Sequence, residues 1–230
     1  AVTDHSYDLD DSVEDCLVND PALPKWKEFQ SVVDRVNARE RDFRVLRGEE
    51  VSCRNGSGGN VHLLLIGNCQ FVPGSGDGAE RWPRRASEHD ISAAVHLAGA
   101  HTAAFAAHPF EPVPLLQRLL LGRDSWQEGD LGTPALSGLQ IANGSLGVFP
   151  DEAVRRWVGM LLRGRRPVII GGNDAHGNFN RFRQVHIPFI RLREDDRQIF
   201  GRVKTGVAVP PTSREDALVA ALRSGRSCVT

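Results

Sequence analysis

No stretch of the 230-residue sequence approaches the roughly 18 to 20 consecutive apolar residues that a membrane-spanning helix needs, which excludes a helical span. Charge of one sign is missing too. Lys and Arg total 28 against 29 Asp and Glu, so no net field draws the chain toward nucleic acid or an anionic membrane. No aromatic and basic platform for single-stranded nucleic acid is evident either. The basic run at 163–167 reads as a solvated helix end. The only cysteines are Cys16, Cys53, Cys69 and Cys228, without a C-x-x-C pair, which argues against a disulfide scaffold and a structural zinc knuckle. Neither G-x-G-x-x-G nor a Walker-type loop occurs, which removes the usual phosphate cradle of a doubly wound sheet.

What is present is an alternation of strand and helix signals over one domain, 1–230. Pro24 to Arg41 carries Trp26, Phe29, Val32, Val33 and Val36 at helical spacing, with Pro24 suited to the first turn. Two β-rich runs, 42–52 and 60–67, flank the turn sequence RNGSGGN and predict a hairpin. Helices are predicted around 87–100, 113–122 and 151–164, with strands around 102–109, 135–144 and 165–176. A last strand lies within 200–210. The final helix, 212–225, carries a Thr212 to Glu215 capping box and Gly225 as its stop. Such alternation implies an α/β fold with a mostly parallel sheet and helices outside it.

Polar residues gather where strands end: Asp4 and His5, Glu49 and Glu50, His108, Asn143, then Asp174 and His176. A β/α barrel builds its site from such a ring of strand ends. Asp174 and His176 are two residues apart after the apolar run Val168, Ile169, Ile170, so on a continuing strand they would point to the same side. His62 sits inside a strand. Imidazoles combined with Glu50 and Asp174 suit zinc, manganese or iron, and a carboxylate can bridge two ions in a hydrolytic site.

The segments VTDH at 2–5, GEE at 48–50, VHLLLIG at 61–67, AAHP at 106–109 and GGNDAH at 171–176 together resemble the successive motifs of the PHP (polymerase and histidinol phosphatase) superfamily of metallohydrolases. GNDAHGNFNRF and the C-terminal segment are most similar to its carbaryl-hydrolase-like branch. The resemblance implies a distorted (β/α)7 TIM-like barrel holding up to three divalent ions. His5 would bind one ion, and Glu50 would bridge two others. His62 and His108 would complete one of those sites, while Asp174 and His176 close the ring. Glu50 is preferred over Glu49 because the family motif is G-x-E, provided that Glu50 faces away from the helices. Asp4 is expected to orient an imidazole. The implied activity is hydrolysis of a phosphoester by a metal-bound hydroxide, with His108, Asp174 and His176 as catalytic candidates. The alternatives are a carbamate, amide or ester hydrolase on the same site, and a non-catalytic metal-stabilised domain.

Both termini read as interrupted strands, and the family's first-strand His-x-His pair has no counterpart here. The barrel is therefore expected to be incomplete at its first strand, with partial metal binding and weak activity. Asn173, Asn178, Asn180 and Arg181 either hydrogen-bond a phosphate or carbonyl oxygen or fasten their own loop. Asn143 holds either a loop or a water. The SGDG segment at 75–78 is expected to be a flexible lid or a plain turn. The expected partner is a small-molecule substrate, with neither nucleic acid nor membrane. Oligomeric state is left open.

Overall fold

A computed structural model describes residues 1–15, 17–78, 86–144, 148–176, 182–184, 191–193, 200–210 and 213–230. The chain starts with β1 (Val2–His5), α1 (Ser6–Leu9) and α2 (Pro24–Arg39), followed by β2 (Arg47–Arg54) and β3 (Asn60–Ile66). Next come α3 (Ile91–Ala98), β4 (Ala103–Ala106), α4 (Leu115–Leu121), β5 (Gly138–Asn143), α5 (Val148–Leu162) and β6 (Val168–Gly172). The remainder comprises β7 (Phe182–Gln184), β8 (Arg191–Arg193), β9 (Thr205–Val207), α6 (Glu215–Arg223) and β10 (Ser227–Val229). No helix among the described residues is long and apolar enough to cross a membrane.

The fold is mixed α/β. Strands β1 to β6 form one sheet in sequence order. β1–β2, β4–β5 and β5–β6 pair in parallel, whereas β3 runs antiparallel to both neighbours. The reversal follows from the short turn Asn55–Gly59, where the Asn55 side chain accepts from the Ser57 and Gly59 amides and closes the predicted hairpin. Gly48 sits where the first three strands crowd. A Cβ there would lie 2.4 Å from the Leu65 carbonyl oxygen and 2.8 Å from Thr3 Cγ2.

The sheet is curled into half a barrel. Five strand spacings of about 4.8 Å would separate the edges of a flat sheet by about 24 Å. Yet His5, at the end of β1, stacks on His176, just beyond β6, with 5.8 Å between ring centroids. Alternation then sorts two cores. Val51, Cys53, Leu63, Leu65, Ala104 and Ala106 face α3 and α5, meeting Ile91, Ala94 and Met160. Leu64, Ile66, Phe105 and Ile170 point the other way and pack against Val219 and Leu222 of α6.

That second cluster corrects the expectation that every helix lies outside the sheet. Leu64 shares its face with Glu50, its register partner, so α6 packs on the concave side. It does so at the end opposite the polar rim, near Ile66, Ala103 and Val168. The predicted capping box is also corrected. α6 begins after Arg214 without a side-chain cap, and Glu215 instead accepts from the backbone N–H and Nε of Arg47. Thr212 lies outside the described residues. Gly225 ends the helix region with φ +72, as expected of a stop.

Candidate metal centre

The parallel strands end, and β3 begins, at the same rim of the curled sheet. Register puts His5 opposite Glu50, Glu50 opposite Leu64, and Ser52 opposite His62. Glu50, Ser52, His62 and Leu64 therefore share the concave face, as two-residue periodicity requires. One ligand-type atom from each of His5, Glu50 and His62 lies within 4.8 Å of the others, and all three residues are buried. This trio could hold a metal ion. His108 joins it from two residues beyond β4, with Nε2 3.5 Å from Glu50 Oε1. The His62 ring centroid lies 5.1 Å from that of His5 and 5.7 Å from that of His108.

The donor set fits a divalent cation. Glu50 Oε1 and His62 Nδ1 are buried and in direct contact as an ion pair. Without an ion the two atoms satisfy each other, and imidazole paired with carboxylate is the donor chemistry that a divalent cation takes. Electrostatics point the same way. Burial opposes a charged Glu50, but His5, His62 and His108 hold its carboxyl well below the ordinary carboxylate range. Burial and the Arg123 guanidinium oppose a charged His62, yet Asp77 and Glu50 outweigh them and raise the imidazole to about 9. In the absence of an ion, the imidazolium supplies the positive charge that the carboxylates demand.

Glu49 points to the other face. Its carboxylate accepts from Asn68 Nδ2 at 2.8 Å, the Val72 N–H at 3.1 Å and the Ser6 hydroxyl at 3.2 Å. Burial outweighs these donors and pushes its pKa up to about 8. Glu50 thus faces His5 and His62 and Glu49 does not, although α6 packs at the far end of the same face as Glu50.

Asp174 and His176 reach the rim differently from the way the sequence suggests. β6 ends at Gly172, so the two do not share a strand face. Asp174 turns at φ +46, and its Oδ1 comes within 3.7 Å of His176 Nε2. Asn143 at the end of β5 donates to Asp174 Oδ2 at 3.4 Å and accepts from Gln140 Nε2 at 3.2 Å. Non-glycine residues with positive φ are rare, and the described ones here are Leu23, His108 and Asp174. Two of the three, His108 and Asp174, are rim residues.

The Asn173 side chain donates to the Val203 carbonyl at 3.0 Å and accepts from the Val203 N–H at 2.9 Å, which fastens the loop. Asn178, Asn180 and Arg181 lie outside the described residues. Asp4 is exposed and accepts from the His5 N–H at 3.1 Å. The SGDG segment forms a turn, one of its two expected forms, closed by the Gly78 N–H donating to the Ser75 carbonyl at 3.1 Å. Ser75 and Asp77 are buried, and the Ser75 N–H donates to Glu88 at 2.9 Å. Cys53, Cys69 and Cys228 are free.

Sequence reasoning missed Asp77, Arg123 and Glu111. Asp77 Oδ2 lies 2.8 Å from His62 Nε2, and Arg123 Nη1 lies 2.9 Å from the same nitrogen. Burial alone would raise Asp77, but His62, Arg123 and Ser52 hold its carboxyl far below the usual range. Glu111 lies close to His108, Asn143 and Asp174, with burial as the main cause of its raised pKa. The available signals were the glycines around Asp77 and the closeness of Glu111 to His108 in sequence. Compared with known protein families, characterised proteins and solved structures, the chain has no match.

Proposed function

We propose that this chain carries the metal centre of a PHP-type hydrolase acting on phosphoesters, within a distorted (β/α)7 barrel to which the curled six-stranded sheet belongs. The observation that carries this reading is the convergence of His5, Glu50 and His62 within 4.8 Å, with His108 Nε2 3.5 Å from Glu50. The order of the motifs along the chain supports it as well. His5, Glu50, His62 and His108 would hold a divalent ion, with Asp174 and His176 available to further ions. Such an ion supplies Lewis acidity to a phosphoryl oxygen and activates water near neutral pH.

The side chains themselves do the rest. Glu50, held ionised by three imidazoles, offers anionic oxygens to the ion and bars a proton from that position. Asn143 fixes Asp174, and the Asp174 and His176 pair is partly open to solvent, so His176 Nε2 can exchange a proton between substrate and water. Burial of the trio keeps its electrostatics strong.

The test is to load the chain with manganese or zinc, dialyse, count the ions and assay aryl phosphates beside aryl carbamates. Phosphoester turnover that falls to background in Glu50→Gln and His108→Ala variants, with the fold retained, is the expected result. Absence of any phosphoester turnover overturns the reading. Carbamate turnover alone moves it to the carbamate alternative, and unfolding on metal removal without turnover moves it to a structural site.

A further inference from the structure

His62 is held at both ring nitrogens. Nδ1 faces Glu50 on the concave side, and Nε2 faces Asp77 at 2.8 Å and Arg123 Nη1 at 2.9 Å. A neutral imidazole has one donor and one acceptor nitrogen, and the neighbours decide which is which. Were Arg123 to donate into Nε2, the proton would sit on Nδ1 and point at Glu50, which would remove His62 from the ligand set. Asp77 accepts only. Its side chain is 2% exposed, it takes the Ser52 hydroxyl, and its Oδ2 lies 3.3 Å from Arg123 Nη1, so the guanidinium has a carboxylate of its own to serve.

From this geometry we infer that Asp77 is a positioning residue of the metal centre: it takes the Nε2 proton of His62 and so presents Nδ1 as a lone pair to the cation. The inference rests on reading His5, Glu50 and His62 as cation ligands. Ligating histidines generally donate their other N–H to an oxygen acceptor, which fixes the ring and raises its basicity. Asp77 is no incidental neighbour. It arrives on a loop outside the strands, and that loop is packed against the hairpin. A Cβ on Gly76 would lie 2.3 Å from Ser87 Oγ and 2.6 Å from Asn60 Oδ1. The Ser87 N–H and hydroxyl both reach Asn60 Oδ1, at 3.0 and 2.9 Å, so β3 itself fixes the approach.

The experiment titrates cobalt(II) into metal-free wild type, Asp77→Asn and Asp77→Ala, following the cobalt absorption bands. Circular dichroism checks the fold, and ¹⁵N spectra report the His62 tautomer. Asp77→Ala is expected to weaken cobalt binding about 10- to 100-fold. Asp77→Asn, which keeps an acceptor, should fall between it and wild type. In the zinc-loaded wild type, where the ring is neutral, the tautomer should be Nε2–H. Wild-type affinity and an unchanged cobalt spectrum in folded Asp77→Ala would overturn the inference while leaving the metal site standing. If Asp77→Ala does not fold, Asp77→Asn decides: unchanged affinity together with an unchanged tautomer rejects the role. A wild type that takes up no cobalt removes the metal reading and this inference together.

Discussion

Glu49 and Glu50 are adjacent in sequence and opposite in circumstance. Glu50 stands among three imidazoles that keep it ionised, whereas Glu49 is buried where its donors do not compensate for lost solvation. Glu49 therefore holds a proton in the folded chain up to about pH 8, while the unfolded chain releases it near the ordinary value of 4.5. Between those two values the native state binds more protons than the unfolded one, so stability from this group is complete at low pH and is lost as pH rises through the interval. The urea midpoint is expected to fall across that window, with a slope from this group of at most about 1.4 kcal/mol per pH unit. Glu49→Gln should flatten the profile. An identical slope in the variant would assign the dependence elsewhere.

At the scale of elements, two departures from a regular β/α repeat position the site. The first is the reversed β3, which carries His62 near its start, so the antiparallel turn delivers this histidine to the rim where the parallel strands finish. The second is α6, which fills the far end of the concave face. Leu222 is 4% exposed and packs with Leu64, Ile66 and Phe105, so Leu222→Ala should cost about 3 kcal/mol, within the range for a buried leucine left as a cavity. Equilibrium urea unfolding measures this. A loss below about 1 kcal/mol would mean that α6 is not an integral part of the core.

For the whole molecule, the consequence of the curl is that His176, beyond the sixth strand, stands beside His5 of the candidate trio on the first three. An ion bound to His5, Glu50 and His62 would tie β1 to β2 and β3 and would favour the folded chain by mass action. At a free metal concentration a hundredfold above the dissociation constant, the gain is about 2.7 kcal/mol. For a chain of this size that raises the thermal midpoint by about 5 to 10 °C. Differential scanning calorimetry with zinc or manganese, and with a chelator, measures the shift, and His62→Ala should abolish it. An equal shift in His62→Ala would place the stabilising ion somewhere else.

The sequence by itself determined what depends on neighbours a few residues away. Two-residue alternation set Glu49 and Glu50 on opposite faces of β2, Asn55 and its glycines closed the hairpin, and Pro24 and Gly225 marked the start of α2 and the end of α6. It also supplied the donor atoms, because imidazole and carboxylate chemistry belongs to the residue whatever the fold. Tertiary structure alone decided which residues meet. Asp77 reaches His62 only because its loop packs on β3, Asp174 meets His176 through a left-handed bend, and Glu215 leaves its capping role for Arg47. His5 finds His176 only because the sheet curls. Local periodicity fixes the direction in which a side chain leaves its own element, but the distance between elements is set by the packing of the entire core, which no short stretch of chain encodes.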